Sequence, residues 1–504
     1  MDADTWIDVC AVSHLAAHDS WRQSGQPFLS SHDLIYFWLK YNHPKSERRL
    51  IKCLSWKEAD FAAATELVAA RLHESDEDQD NSLQSVDSRL SKLNNLFKDV
   101  VDQCVPVREF IPERSSDPWI TWELREVRRQ RDRYYRRFKR NGHRLAWEEY
   151  VSLRREAQSL WRKNQASYLQ TVSNRAGNTK QFWSEMNRLG LTVKARKSRD
   201  VLRFGIEELN DYYATVVDGR KHPSLDEVVA GLSRQRAGVL FDFARVRASN
   251  IIECVSVGTS RAEGIDGLST HILKTFKDLF GPLIADLVNL SSNSGYYPTL
   301  WRSSLITPIP KTRGPQSVVE MLPISILCAM SKVCERVVLD QVVCFLNDYN
   351  VLDSRQTGFR QGMGTQTAVV KVVDDVRFGI DKQLVTLAVF LDLTKAFDFV
   401  DHLLLLSKLY ELGFSLKVIR WMYCYLAERK HAVRDSDKVS TWRKYVTGVP
   451  RGSVLGLLVF SLFINELPKC LRLCSHLSFA DDRVVHLTCK VSGRSSAIEK
   501  MNED

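Results

Sequence analysis

The sequence predicts an α+β protein: strands that carry aspartates at their ends, with helices between and before them. Three observations predict it. Two β-prone runs, QLVTLAVFLDLTKAFD (383–398) and LSFADDRVVH (477–486), each bring carboxylates to an apolar strand. The stretches 401–412 and 415–427 have the length and apolar spacing of helices. From Trp119 to about Val172 there is no proline and a single glycine, Gly142, in an arginine-dominated run that reads as one or two long helices.

Taken in order, residues 5–10 read as a short strand, and 27–39 as a turn followed by an apolar run. Residues 56–73 have helical spacing, and HESDEDQDNS (73–82) is an acidic break and linker. Leu90, Leu93, Phe97 and Val101 recur at helical spacing. Residues 301–310 mix β-branched residues and prolines, as an edge strand would. Residues 318–346 begin irregular and become a helix. Residues 445–456 read as a strand, a Gly/Pro turn and a helix start. The apolar run VLGLLVFSLFI (454–464) is too short to span a bilayer and reads as a buried element. The domains expected are 1–45, a helical linker 46–118 with its acidic break, a basic aromatic-rich helical segment 119–200, a connector 201–254, and a catalytic region 255–504.

The formal charge of +10 is local. Residues 108–200 hold 23 Lys/Arg against 11 Asp/Glu, a net of +12, which leaves the rest of the chain near −2. Arginines 128, 129, 136 and 137, interleaved with tryptophans and tyrosines, suit contact with a nucleic acid. The alternative is a solvated helix whose aromatics form the buried stripe; both hold at once if the two residue types take different faces. The N-terminus has acids and no apolar core, so it is no signal peptide. No CxxC occurs, and Cys470 and Cys474 beside His476 lack two further ligands at finger spacing, so the cysteines read as reduced and the protein as intracellular.

The carboxylates are the chemical signal. The strand ending at Asp392 is apolar enough to read as buried on both faces, and an ionised Asp there needs a cation. Leu477 and Phe479 before the acids, and Val484 and Val485 after them, fit a hairpin with Asp481 and Asp482 at its turn. Alternation along the first strand aims Asp481 at a shared site and leaves Asp482 at its margin. If the two strands are neighbours, Asp392 and Asp481 converge, and paired carboxylates of this kind hold divalent ions for phosphoryl transfer. A lone Asp-Asp pair is otherwise an ordinary polar turn.

The ordered set LITPIPK (305–311), LPISIL (322–327), QTGFRQGMGTQTA (356–368), FLDLTKAFDFVDH (390–402), GVPRGSVLG (448–456) and FADD (479–482) resembles the reverse transcriptase of non-LTR, LINE-type retrotransposons. EGIDGLSTHILK (263–274) is similar to that polymerase's N-terminal extension, so the resemblance covers about 255–490. It implies a right-hand palm and fingers, the palm an antiparallel sheet backed by helices. By position Asp392, Asp481 and Asp482 match the catalytic acids, with Asp392 and Asp481 as ligands of two Mg²⁺ ions, Mn²⁺ being the alternative. Phe397 matches the bulky residue that excludes a 2′-hydroxyl. Gly448, Arg451 and Gly452 fall in the loop that cradles the nucleotide, Lys311 matches a basic residue that meets the triphosphate, and Arg360 falls in a nucleic-acid-binding stretch. The partners implied are an RNA template, a DNA primer or target, and dNTPs, with no membrane. Action at chromosomal DNA implies the nucleus, and RRFKR (136–140) and KARKSR (194–199) are basic clusters suited to it.

PFLSSHDLI (27–35) resembles the last motif of the endonuclease/exonuclease/phosphatase-like domain that such elements carry, with His32 at the position of its catalytic His and Ser31 where Asp is usual. The domain's upstream catalytic residues are absent, so residues 1–45 are expected to be a remnant without nuclease activity. Other departures are Leu322 for the usual Arg, Arg451 for Gln, Leu457 for Pro, Phe479 for Tyr and Arg483 for Thr. Leu322 removes a partner of the triphosphate, and Arg483 is expected to put a cation beside the acids. The chain ends soon after the second acidic motif, so the thumb is expected to be missing and synthesis impaired. The rival readings are an inert remnant that binds RNA or DNA, and a group II intron-type maturase, which shares the palm but not the LTKAFD–VDH wording.

Overall fold

The computed structural model of the chain describes residues 18–24, 34–39, 50–73, 83–110, 117–175, 177, 179–188, 204–214, 222–232, 240–258, 260–312 and 314–504. It divides into two compact units, Met1–Leu54 with Val107–Thr192, and Ser55–Pro106 with Val193–Asp504. In chain order the elements are β1 (His18–Ser24), β2 (Leu34–Leu39), β3 (Ile51–Leu54), α1 (Phe61–His73), α2 (Leu83–Cys104), β4 (Val107–Phe110), α3 (Trp122–Asn141), α4 (Arg144–Arg175), α5 (Thr179–Arg188), α6 (Ile206–Ala214), α7 (Leu225–Ala230), α8 (Ala248–Val257), α9 (Thr270–Thr275), α10 (Lys277–Ser294) and β5 (Ser303–Pro310). There follow β6 (Met321–Ile326), α11 (Ala329–Asp348), α12 (Thr365–Asp381), β7 (Val385–Asp392), α13 (His402–Glu411), α14 (Leu416–Leu426), β8 (Lys430–Asp435), β9 (Lys438–Val439), β10 (Arg443–Lys444), α15 (Leu455–Phe463), β11 (Ser475–Phe479), β12 (Asp482–Cys489) and α16 (Arg494–Glu503).

In the first unit β1 pairs antiparallel with β2, and β3 with β4. The long basic segment is two helices folded back on each other. Gly142, at φ 60°, ends α3 in a left-handed cap that glycine adopts without penalty. Leu124, Val127 and Ala157 form the seam between α3 and α4, with Leu153, Leu160 and Trp161 against them. The expected strand 5–10, the acidic residues 74–82 and His32 lie outside the described residues.

In the second unit α2 is no linker helix. Its stripe of Val86, Leu90, Leu93, Phe97 and Val100 is buried, and the Phe97 ring stacks on Phe280 of α10 at 3.6 Å. A helix that buries so continuous an apolar face belongs to a core. The centre of that core is aromatic: Tyr297, Trp301, Trp421 and Tyr425 are fully buried and meet edge to face or stacked.

Two sheets lie among the described residues of this unit. One has the order β10-β8-β5-β6, with β9 on β8. Its strand β5 is internal, not the edge strand its prolines suggested: β6 pairs antiparallel over Leu305–Pro310, and β8 pairs parallel over Ser303–Ile306. Pro308 and Pro310 fall beyond the end of that parallel ladder, where a missing N–H costs nothing. The irregular start foreseen at 318 contains β6, and the strand foreseen at 445 ends as β10 at Lys444. The other sheet has the order β11-β12-β7, all antiparallel. Here β7 contradicts the expectation of burial. It is the edge strand, and Val389, Phe390 and Leu391 are 46%, 75% and 45% exposed. Helix α12 covers its first half, but no described element covers the second. The run VLGLLVFSLFI is a buried helix, α15, as expected. No helix among the described residues is long and apolar enough to cross a membrane.

Candidate active site

The acids meet where the three-stranded sheet opens. β11 and β12 form a hairpin closed by the pair Phe479↔Asp482, with Ala480 and Asp481 as the two turn residues and Ala480 at φ 57°. β12 then pairs with β7 so that Asp482 stands directly opposite Asp392. Directly opposed residues point to the same face with their Cβ atoms roughly 5 Å apart. The ladder therefore joins Asp392 to Asp482 and places Asp481 beside them in the turn. The parity argument that aimed Asp481 at the shared face assumed that the strand continued past Phe479; the turn interrupts the alternation there. Asp392 and Asp482 are exposed and Asp481 half-buried.

Like charges opposed across a sheet are destabilising, and no described protein cation pairs with these three carboxylates. Arg483 does not crowd them. It follows Asp482 in the strand, so it takes the other face, where it is buried beside Ser478. Burial lowers its pKa, and the nearest offsetting charge is Asp353. Among the described residues no group of three or more His, Cys, Asp or Glu is placed to hold a metal by itself. What the site offers is open carboxylate oxygens, which suits Mg²⁺: that ion takes one or two carboxylates and keeps positions for water and phosphate.

The turn is braced from behind by QTGFR. Thr357 donates from its backbone N to the Ser478 carbonyl at 2.9 Å, and Ser478 N donates to the Arg355 carbonyl at 3.0 Å. Thr357 Oγ1 donates to the same Ser478 oxygen at 3.0 Å. Gly358 lies so close that a Cβ there would overlap the backbone nitrogen of Ala480. Gly358→Ala should therefore push the turn outward, destabilising the fold by roughly 1–3 kcal/mol and moving Asp481. Urea unfolding measures the first effect. Arg360, expected to face nucleic acid, is half-buried and donates to the carbonyls of Asp353 (3.0 Å) and Gln356 (3.4 Å), holding this loop together.

The second half of the site is the loop 447–455, laced to the turn after β7. Gly448 N donates to the Val400 carbonyl and Val449 N to that of Phe397, both at 2.9 Å. Gly448, at φ 82°, packs so closely that a Cβ would lie 2.7 Å from the Phe397 oxygen and 2.8 Å from Asp398 Cα. Gly452, at φ 123°, abuts the Ser325 carbonyl of β6, and Ser325 N donates to the Arg451 carbonyl at 2.8 Å. Phe397 is held between Phe460 of α15 at 4.5 Å and Phe359 at 6.1 Å. Since Phe359 follows Gly358, this ring and the acid turn share one continuous floor.

Asp398, unnoticed in the sequence, is the polar centre of this half. Arg451 Nη2 donates to its Oδ2 at 2.8 Å. Burial raises the Asp398 pKa, and Arg451, Lys395 and Lys311 pull it back down. Three cations thus gather near one carboxylate, where Leu322, paired with Ile309 in the ladder, supplies none.

Two further buried groups fix the loop. Glu335 of α11 accepts from the backbone N of Val454 (2.7 Å) and Leu455 (3.1 Å), capping α15. His402 Nε2 meets the Gly448 carbonyl at 2.7 Å, which requires the proton on Nε2. Burial lowers the His402 pKa to about 4; His222 and Arg429 push the same way, while the Gly448 bond and Asp401 oppose. Because the unfolded imidazole titrates near 6.5, the unfolded chain binds the extra proton between pH 6.5 and 4. The stability owed to neutral His402 is complete above that window and lost through it, on the order of 3 kcal/mol. Buried His431, also at about 4, adds to the loss, while the raised carboxyls of Asp398 and Glu335 oppose it. His402→Gln isolates the term: the stability difference between wild type and variant should shrink by that amount as pH falls from 7 to 4 in urea titrations.

Of the remaining expected residues, Lys311 is exposed just beyond β5 and held at its backbone by the Glu320 carbonyl. Arg129, Arg136 and Arg137 are exposed on α3, and Arg128 is half-buried there. They belong to the first unit, the acids to the second.

Residues 309–502 match the family described as reverse transcriptase (RNA-dependent DNA polymerase). Over 225 residues the chain is 31% identical to the probable RNA-directed DNA polymerase from transposon BS of Drosophila melanogaster, covering 44% of this chain and 25% of that protein. It is 29% identical over 216 residues to the probable RNA-directed DNA polymerase from transposon X-element of the same species, covering 43% and 24%. Against the RNA-directed DNA polymerase from mobile element jockey, also of D. melanogaster, it is 30% identical over 209 residues, covering 41% and 23%. The chain spans about a quarter of the length of these curated relatives. Residues 309–502 are thus similar to reverse transcriptases, and the chain to the RNA-directed DNA polymerases of these mobile elements.

Proposed function

We propose that the second unit is the palm and fingers of an RNA-directed DNA polymerase that adds dNTPs to a primer 3′-hydroxyl on an RNA template. The observation that supports this best is the register that sets Asp482 opposite Asp392 beside the loop 447–455. Asp392 and Asp481 are the direct metal ligands, and Asp482, on the face of Asp392, is the third carboxylate within reach. Bound Mg²⁺ supplies Lewis-acid stabilisation of the attacking and leaving oxygens. The 3′-oxygen forms a bond to the α-phosphorus, the bond to the β-phosphate oxygen breaks, pyrophosphate leaves, and the hydroxyl proton passes to solvent.

The chain's own residues position the reactants. The Phe397 ring, wedged by Phe460, blocks the volume of a 2′-hydroxyl and offers it no hydrogen bond. Gly448 and Gly452 let backbone come close to the base pair. Lys311, Lys395 and Arg451 form the cationic wall for the triphosphate, and Arg451 takes over part of the charge that Leu322 lacks. PFLSSHDLI, His32 included, is the last motif of an endonuclease-like domain. The protein acts in the nucleus.

The test is single-nucleotide extension of a DNA primer on an RNA template by the intact chain, with Mg²⁺ or Mn²⁺. Extension that prefers dNTPs over rNTPs is expected. No extension, with nucleic-acid binding retained, would make the chain an inert binder.

A further inference from the structure

Helix α3 carries a charge pattern that its own fold does not need. Its 20 residues hold nine Lys/Arg and three Asp/Glu. At about 100° and 1.5 Å per residue, Arg125, Arg129, Arg133, Arg136 and Arg140 fall within a stripe about 80° wide and 22 Å long. All five are exposed. Consecutive members stand three or four residues apart, so their charges are about 6 Å apart along the axis. That is inside the screening length of about 8 Å at physiological salt. Like charges at this spacing destabilise a helix by a few tenths of a kcal/mol per pair.

The neighbouring acids do little to relieve this. Of the five, only Arg129 has an ion pair among the described residues, to Glu126 at 3.3 Å; Asp132 is taken by Arg131 at 2.6 Å. The apolar side of α3 is spent on α4. Two of its four aromatics also pack on α4: Phe138 on Trp147 at 4.9 Å and Tyr135 on Tyr150 at 5.0 Å. The surface left is a straight rail of guanidinium groups, with the exposed Trp122 at its N-terminal end.

We propose that this rail binds the phosphodiester backbone of nucleic acid, without regard to sequence, as a site in its own right. A regular row of like charges fits a linear polyanion with regularly repeating charge, and guanidinium forks suit phosphate. A helix that has already buried its apolar face has nothing to insert into a lipid surface. Guanidinium groups contact backbone rather than base edges, and stacking on an exposed ring such as Trp122 tolerates any base. This site does not rest on the polymerase reading: a chain that extends no primer still carries it.

The test uses the full chain and fluorescence anisotropy with a labelled 24-base-pair DNA duplex and a 24-nucleotide RNA, from 50 to 200 mM KCl. Replacing Arg125, Arg133, Arg136 and Arg140 by Gln should reduce the slope of log K against log salt by about 3.6 on the duplex, near 0.9 per lost contact, and by less on the single strand. The same four changed to Lys should keep the slope, because counterion release counts charge. Circular dichroism checks that α3 is intact, and glutamine is a good helix former. A slope reduced by less than about one by the Gln set overturns the proposal. So does a tenfold preference among duplex sequences, or binding to phosphatidylserine vesicles at a salt concentration that frees both nucleic acids.

Discussion

Asp392→Asn should lower single-nucleotide incorporation by about a hundred- to a thousandfold while making the folded chain slightly more stable. The two effects have one cause. Asp392 faces Asp482 across the last rung of the β7–β12 ladder, with no described cation between them. Neutralising one partner removes a repulsion of roughly half a kcal/mol and also removes a ligand for Mg²⁺. Millimolar Mg²⁺ should raise the thermal midpoint of the wild type and leave that of the variant unchanged, since an ion bound to the folded state stabilises it by mass action. That readout is independent of turnover. If the variant is less stable than the wild type, or responds equally to Mg²⁺, the paired-carboxylate site is wrong. Asp481→Asn and Asp482→Asn then rank the two acids. The variant that abolishes the Mg²⁺ response more completely identifies the closer partner of Asp392.

The parts of this site that were legible in the sequence are those fixed by local rules. The hairpin around the acids follows from strand alternation on either side of two turn residues, and α2 and α15 follow from apolar runs at helical spacing. Errors came where a non-local partner decides. The register opposes Asp482, expected at the margin, to Asp392, because Ala480, at positive φ, turns the chain after Phe479 and breaks the alternation. The apolar β7 read as buried, yet what covers a strand is a property of the other elements. β6 was missed because Pro323 hides it; it forms opposite the proline-bearing half of β5, with Pro323 paired to Pro308. Glu335, Asp398 and His402 sit on or beside helices where charged residues ordinarily meet solvent. Only the folded chain brings backbone groups to Glu335 and His402 and the Arg451 guanidinium to Asp398.

Glu335 should have the largest effect on stability of any of these. It is fully buried, and its two oxygens serve three donors: Val454 N, Leu455 N and the Tyr297 hydroxyl, the last at 3.3 Å. Burial raises its pKa, and the chief opposing influence is Arg429, itself fully buried and bound to the Tyr425 carbonyl at 2.6 Å and the Tyr445 hydroxyl at 3.0 Å. Glu335→Ala therefore orphans two backbone N–H groups at the start of α15 and leaves a buried guanidinium without its carboxylate, a loss of about 3–5 kcal/mol. Glu335→Gln keeps an acceptor for the N–H groups and should lose less, about 1–2 kcal/mol. Urea unfolding of both variants measures the difference. Gly452 lies two residues before Val454, so the freed helix start should also loosen the turn held against Ser325. In the glutamine variant, which stays folded, the KM for dNTP should rise more than kcat falls. An alanine variant as stable as the glutamine one would show that the acceptor at 335 has no part in seating the loop, and a glutamine variant as stable as the wild type would show the same of the carboxylate's charge.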